Sequence, residues 1–412
     1  MATSVSLDVP NFHVLGNDVL HQLDRIRELA PVAWNEVDQS WLITGHAEVL
    51  AAFRGDVPLS AQRFKLLELL LPDPVDREAL IGNMLRYFRP FLINLDPPEH
   101  TRLRRLMGAA FGKKVVEGYR AQARQVIHEV LDGLRDRTEV EFVEGVARTI
   151  TGLNILRIMG FEGEALYLPR LARWAYFAVA GGSGVPTREI LSQTDACAKE
   201  MAEAFLPIVH RRRAQPADDF VSMLVRANDG GQPLTDDEIV SNLILTLLAG
   251  HDTTLNTMSL SLEALSRHPQ ACEYMRAHPE NSLNAVLELS RYIGMSTQQT
   301  RVVARDFEWH GCHLKQGQIA HVFTATANRD PRVFKDPEKL DLTRDQSQTV
   351  TFGPGIHHCI GHLFAKMQLT EFFPEFLDRY ERFDVLEEMQ FAPGLSFRGP
   401  ISLRVRLHPR GS

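Results

Sequence analysis

The chain has 412 residues, of which 44% are hydrophobic and 24% charged, and 45 Lys plus Arg against 52 Asp plus Glu leave a net charge of -7. This is an ordinary globular composition with ample material for a deep core, and it excludes a disordered or fibrous chain and a basic nucleic-acid binder. Four cysteines, Cys197, Cys272, Cys312 and Cys359, form no Cys-x-x-Cys pair, which argues against a disulfide framework or a cysteine-rich zinc site and for a reducing compartment.

The N-terminal stretch MATSVSLDVPNFHVLGNDVL lacks a signal pattern and no run of about 18 apolar residues occurs, so a cytoplasmic protein without membrane insertion is expected. From Pro31 to Thr44, two β-prone runs around Asp38-Gln39 predict a hairpin. Apolar residues at three- and four-residue spacing then predict helices over His46 to Arg54, His100 to Met107, Val115 to Leu134 and Asp195 to Arg213. Thr235 with Glu238 forms a capping box that opens a helix reaching about His268. A further helix ends near Tyr292. Arg301 to Phe323 alternates like strands with a turn at Lys315-Gln316-Gly317, a last helix runs from Ile360 to Tyr380, and ISLRVRL closes as a strand. Without repeats or a Gly, Ser or Pro-rich linker, no domain boundary is evident.

Chemistry concentrates in Phe352-Gly353-Pro354-Gly355-Ile356-His357-His358-Cys359-Ile360-Gly361. A glycine-punctuated loop delivers one cysteine to the start of a helix, where orphan N–H groups and the positive helix end favour a thiolate able to donate to a metal. Gly353, Gly355 and Gly361 allow sharp turns close to something flat or bulky. As a dinucleotide fingerprint the loop fails, because His358 stands in place of the third glycine. A competing zinc reading groups His357, His358, Cys359 and His362, with His358 and His362 spaced i, i+4. Against it, neighbours in one loop rarely close a tetrahedral site and no general-base Glu stands nearby. For Cys197, Cys272 and Cys312, a small buried hydrophobe is the default.

This loop resembles the haem-binding loop of the cytochrome P-450 monooxygenases of the bacterial type, and three further motifs follow that family's order. The resemblance implies a mainly α fold with small β-sheets, an α-rich domain plus a smaller β-rich region, with haem between the cysteine-loop helix and a long central helix. Residues 1–412 are then one catalytic domain. It also implies that Cys359 is the axial thiolate of haem b, with Phe352 beside the sulfur. Glu288-Leu289-Ser290-Arg291 places a carboxylate and a guanidinium on one helix face, in isolation a surface pair. By resemblance Glu288 and Arg291 are a buried structural pair, completed by either Lys339 or Arg344. Ala249-Gly250-His251-Asp252-Thr253-Thr254 puts small and polar residues in mid-helix. Alone this is a packing notch. By resemblance Asp252 and Thr253 relay protons to dioxygen while Ala249 and Gly250 leave room for it. In Asp96-Pro97-Pro98-Glu99-His100-Thr101-Arg102-Leu103-Arg104, two prolines start a helix with His100 and Arg104 one turn apart, able to face one anion. The family likeness assigns His100, Arg104, Arg301 and His357 to the haem propionates, although each is also readable as a solvent-facing group, His100 above all.

The run His210-Arg211-Arg212-Arg213 reads as a solvated helix end. Arg102, Arg105, Lys113, Lys114 and Lys366 suggest a basic patch on the thiolate side, where the family docks an acidic ferredoxin. Family substrate-contact segments correspond to Leu66 to Phe91, Leu168 to Ile190, the helix face of Leu243, Thr246 and Leu247, Gly294 to Thr297 with Met295 and Ser296, and Leu395 to Phe397. Leu67, Leu70, Leu71, Trp174, Tyr176 and Phe177 are further pocket candidates, and Gly181-Gly182-Ser183-Gly184 suggests a mobile connection. The expected activity is insertion of one atom of dioxygen into a C–H bond of a hydrophobic small molecule such as a steroid, terpenoid or other polycycle. With no room in 412 residues for a fused flavin domain, electrons are expected from a ferredoxin and its ferredoxin reductase, NAD(P)H being the indirect donor. Two alternatives remain: a haem-thiolate enzyme of divergent outcome (desaturase, oxidative coupling enzyme or peroxygenase) and a non-catalytic haem-based ligand binder.

Overall fold

In the computed structural model, which describes residues 3–5, 18–161, 163, 166–182, 186–392 and 396–411, the runs around Asp38-Gln39 form an antiparallel hairpin, Val32–Asn35 against Ser40–Ile43. Asp38 shapes its turn by accepting hydrogen bonds from Asn35 Nδ2 at 2.6 Å and Ser40 Oγ at 2.8 Å. The hairpin belongs to a six-stranded sheet in the order Ser4–Val5, Val32–Asn35, Ser40–Ile43, Ile319–Val322, Gln299–Val303, Leu59–Ser60. Strand period decides what each face buries. Val32, Trp41 and Ile43 join Val49, Phe53, Val303 and Val350 in one cluster, while Ala33 and Leu42 join Leu20, Leu23, Ile26 and Phe323 in the other.

The chain divides into two compact units, one of Met1–Leu59, Glu117–Thr151 and Asp252–Ser412, the other of Ser60–Val116 and Gly152–His251. Unit 1 holds the large sheet and the helix His362–Arg379, whose Phe372 and Phe376 meet Phe142 edge-on. Unit 2 is helical, with Pro74–Tyr87, Glu99–Gly108, Leu168–Gly181 and Arg188–Ala214 as its main helices. The long helix Asp236–Ser266 runs without interruption from unit 2 into unit 1. Its capping box forms as expected: Glu238 N–H donates to Thr235 Oγ1 at 3.2 Å and Thr235 N–H to Glu238 Oε2 at 2.9 Å.

Four local expectations need correction. Val115 to Leu134 is two helices, Lys113–Gly118 and Arg120–Asp132, separated where Gly118 lowers helix propensity. ISLRVRL is likewise two strands, Pro400–Ser402 and Arg404–Pro409. The last helix begins only at His362 with Gly361 as its N-cap, so Cys359 precedes the helix and His358 and His362 do not share a helical face. In the arginine run His210, Arg211 and Arg213 are exposed as expected, but Arg212 is not: its guanidinium pairs with Asp219 at 2.5 Å with both side chains largely buried, while exposed Arg213 reaches Asp236 at 2.6 Å. Ser183, Gly184 and Leu395 lie outside the described residues.

Glu288 and Arg291, on the helix Ser282–Ile293, are both fully buried. Arg291 donates from Nε and Nη2 to Glu288 at 2.8 Å each, from Nη1 to the carbonyls of Asn328 and Pro337 at 2.9 Å each, and from Nη2 to the Lys339 carbonyl at 3.2 Å. Glu288 also accepts from Arg344 Nε at 3.1 Å, Gln346 Nε2 at 3.0 Å and the Asp341 N–H at 3.0 Å. Arg344 thus completes the cluster. Lys339 contributes its carbonyl, while its ammonium pairs with Asp336 in solvent. Removing one member of a buried pair leaves an enclosed charge, so Glu288→Gln is expected to destabilise the fold by about 3 kcal/mol or more. Lys339→Ala should change it by less than about 0.5 kcal/mol. Urea unfolding midpoints check both, and an unchanged midpoint for Glu288→Gln would contradict the assignment.

Candidate active site

The cysteine loop is shaped by backbone that only glycine adopts easily. Gly353 and Gly355 have φ of 65° and 87° in the left-handed region, whereas Gly361, at -87°, needs no such freedom. Gly355 has a second reason, since a Cβ there would lie 2.1 Å from the Phe53 carbonyl oxygen. Phe53 belongs to the helix His46–Arg54, which is tied to the approach of the loop by a hydrogen bond between His46 Nε2 and the Gln348 carbonyl at 2.8 Å. Within the loop the Cys359 N–H donates to the Phe352 carbonyl at 2.8 Å. His362 turns Nδ1 to the Cys359 carbonyl at 2.9 Å. The loop therefore stands as a preformed support for one sulfur.

Cys359 is the cysteine of the four that is not buried. Burial pushes the thiols of Cys197 and Cys312 up, and that of Cys272 to about 11, so these three keep their protons at neutral pH. Lys366 lies half-buried with Nζ 4.9 Å from the centre of the Phe352 ring. Burial lowers its pKa and the charge of Cys359 offsets part of that shift. Arg301, on strand Gln299–Val303, stacks its guanidinium 5.6 Å from the Phe53 ring and donates to the Thr300 carbonyl at 3.0 Å. His357 is half-buried on the loop itself. Thus unit 1 holds Cys359, Phe352, Arg301, His357, Asp252 and Thr253, and unit 2 holds His100, Arg104, Ala249 and Gly250.

His100 is buried rather than solvent-facing, and burial first, then the Arg104 charge, lower its pKa. It is therefore a neutral hydrogen-bonding group at physiological pH. The middle of the long helix is distinctive. Its residues from Ile239 to Leu247 are buried, yet Ala249 is exposed and Leu248, Gly250, Asp252 and Thr253 are partly so. Gly250 has a packing reason of its own, because a Cβ would meet Ile155 Cδ1 at 2.9 Å. Thr257 Oγ1 donates to the Thr253 carbonyl at 2.8 Å, the backbone bond that bends helices.

Of the pocket candidates, Leu243, Leu247 and Trp174 are wholly core, while Leu70 and Tyr176 face outward. Leu67 and Leu71 are buried. Thr246 is nearly buried, with no partner for Oγ1 among the described residues. Met295, Ser296 and Phe397 are partly accessible and brought together by a bridge between Ser296 and Phe397, with the Arg398 N–H donating to the Met295 carbonyl at 2.8 Å. The expected basic patch is reduced, since Arg102 pairs with Glu238 at 2.6 Å and Arg105 with Asp229, leaving Lys113 and Lys114 exposed. Phe53 and Gln346 had no signature in the sequence, because each acts through a neighbour far away in the chain.

Asp252 is held above the ordinary carboxylate range by burial, an effect that the Arg148 charge and a 3.5 Å hydrogen bond from Asn256 only reduce. The folded chain thus binds this proton more tightly than the unfolded chain. Its contribution to stability is full below the unfolded pKa, about 3.9, and is lost as pH rises towards the folded value. Asp252→Asn is expected to raise the urea midpoint at pH 7, with the gain closing as pH falls towards about 4. Equal midpoints at pH 7 would refute the shift.

A family model described as Cytochrome P450 matches residues 186–281 and 281–396. The 6-deoxyerythronolide B hydroxylase of Saccharopolyspora erythraea is 32% identical over 377 residues, covering 89% of this chain and 89% of that protein. Among solved structures, the bacillaene polyketide synthase cytochrome P450 PksS of Bacillus subtilis 168 aligns with a TM-score of 0.85 at 26% identity, over 96% of this chain and 99% of its own. P450BioI in complex with an acyl carrier protein ligated to hexadec-9Z-enoic acid gives 0.85 at 25% identity, over 94% and 98%. With its cysteine loop, its fold and these relatives in agreement, the chain belongs to the cytochrome P450 family of haem monooxygenases.

Proposed function

We propose that this enzyme, as one catalytic domain in the cytoplasm, inserts one oxygen atom from dioxygen into a C–H bond of a lipophilic small molecule, taking electrons from a ferredoxin and, through its reductase, from NAD(P)H. The observation that carries this reading is the accessible Cys359 on a glycine-shaped loop, beside three cysteines that are buried. The residues suit the family's haem: one accessible thiol for its iron, and Arg301, His357, His100 and Arg104 to meet two propionates. Accessible Leu248, Ala249, Gly250, Asp252 and Thr253, with buried His251 among them, follow the buried run Ile239 to Leu247 and support a reaction site at mid-helix. Among the described residues no helix is long and apolar enough to cross a membrane.

Bound haem supplies the oxygen-activating redox chemistry. The chain's own part is positional and protonic. The loop 352–361 presents the sulfur. Asp252 keeps a proton to higher pH than an ordinary carboxyl, and Thr253 beside it offers a hydroxyl that both accepts and donates, so the pair can hold and pass protons at the site. Ala249, small and exposed on the same helix, adds no bulk beside them, whereas Gly250 is packed against Ile155. Met295, Ser296 and Phe397, and Thr246 of the long helix, are the substrate contacts in this reading. Relatives named a 6-deoxyerythronolide B hydroxylase and a polyketide synthase cytochrome P450 support a bulky, mostly apolar substrate.

The test is the carbon monoxide difference spectrum of the reduced, haem-loaded protein. A strongly red-shifted Soret band that Cys359→Ser abolishes in folded protein is the expected result, and a band that survives the substitution overturns the assignment of Cys359. In a reconstituted system Thr253→Ala should sharply lower the product formed per NADH consumed, because losing an acid–base group costs about a hundredfold or more in the step it serves. Unchanged coupling would remove Thr253 from the proton path.

A further inference from the structure

Arg63 stands immediately before the helix Phe64–Leu70, in unit 2. Its Nε donates to Asn94 Oδ1 at 2.8 Å, and buried Asn94 is itself fixed by Nδ2 donating to the Phe88 carbonyl at 2.8 Å. The carboxylate of Asp96, close by in the chain, is already occupied. It accepts from Ser60 Oγ at 2.6 Å and from the Ala61 N–H at 2.9 Å, which pins the loop carrying Arg63. Among the described residues no ion pair joins Arg63 to a carboxylate. Burial lowers its pKa to about 10, and among the described residues no charge offsets that shift.

A guanidinium enclosed by protein and held along its Nε side by a neutral amide is an expensive arrangement without a counter-ion. The remaining edge, one N–H from each Nη, is the fork that matches a carboxylate. As a residue Arg63 stays partly accessible. Phe64 and Leu67, at the start of the following helix, are buried apolar residues. A hydrogen-bonded path leads from Arg63 through Asn94 to Phe88, and adjacent Tyr87 accepts from Ser241 Oγ of the long helix at 2.7 Å. Ser241 lies about 12 Å along the helix axis from accessible Ala249. Unit 2 therefore joins a fixed cation to the accessible part of that helix.

Resting on the monooxygenase reading, we propose that Arg63 is a substrate-binding residue that takes the carboxylate of an apolar acid through its two Nη groups. A single cation neutralises a carboxylate monoanion, whereas a phosphate dianion would leave one charge enclosed. The acid's apolar body is then oriented from its charged end, and Asn94 acts as the positioning residue for the guanidinium.

Calorimetric titration of the haem-loaded enzyme with palmitoleic acid, abietic acid and the methyl ester of each tests this without relying on turnover. At least one acid should bind about tenfold or more tighter than its ester, the worth of a charge-assisted contact. Arg63→Gln should abolish the preference and Arg63→Lys retain part of it. Asn94→Asp, which keeps Arg63 but supplies an internal counter-ion, should abolish it as well. Haem content and the carbon monoxide difference spectrum, measured on the same preparations, should not change in Arg63→Gln. Loss of haem in that variant would make Arg63 a haem-propionate ligand and overturn the proposal. Absence of an acid-over-ester preference for both pairs, or a preference that survives Arg63→Gln and Asn94→Asp, overturns it too. A failed carbon monoxide band with an intact acid preference would instead strike the Cys359 reading alone.

Discussion

Arg291 has five N–H donors, and in this fold each meets an acceptor in a place without water. Two go to Glu288 and three to the carbonyls of Asn328, Pro337 and Lys339, so one helix-borne side chain gathers an irregular stretch of backbone that has no ladder of its own. Such carbonyls would otherwise be costly to bury. The consequence travels towards the cysteine. Asn328, held through its carbonyl, uses its side chain to accept from the Val350 N–H at 2.8 Å and to donate to Thr351 Oγ1 at 2.9 Å, and the Val350 carbonyl accepts from Gly353. A buried ion pair is a poor source of net stability, but here it specifies a single path for the chain between the sheet and the sulfur.

Around that path the structure sorts chemically similar groups by environment. Four thiols divide into three buried ones whose protons are hard to remove and one that is accessible on a rigid loop. Arginines divide in the same manner. Arg102, Arg105 and Arg212 are neutralised by carboxylates within unit 2, while Arg63, in the same unit, is held by an amide. Electrostatic cost follows from that difference, because an enclosed cation with a carboxylate beside it is finished and one with an amide beside it is not. Asp252 shows the converse for acids: burial raises its affinity for a proton, which suits a group that must hold one and give it up.

Regular, local chemistry was legible in the sequence. Period-two alternation located the hairpin at Asp38-Gln39, the Thr235 and Glu238 pair marked the start of the long helix, and the glycines around Cys359 announced a special loop. Partnerships over long sequence distance were not legible. Nothing near Arg212 indicated that Asp219 would bury it, and Leu243 and Leu247 look equally suited to a pocket wall or a core, since helical spacing alone does not say which face meets protein. The break between Lys113–Gly118 and Arg120–Asp132 was missed for a related reason: the apolar spacing continues across Gly118 although the helix does not.

The mainly helical fold with small sheets, the residue types of the cysteine loop and of the mid-helix acid–alcohol pair, and through them the family, are all legible in the chain as written. Those features are written in contiguous residues, where backbone preference and spacing act directly. It took the packed molecule to show that Arg344 rather than Lys339 completes the Glu288 cluster, that Phe53 closes on Gly355, that His100 is buried and that Arg63 has no carboxylate partner among the described residues. Each of these depends on which distant segment removes water from a side chain, and desolvation is a property of the packed molecule that no short stretch of sequence contains.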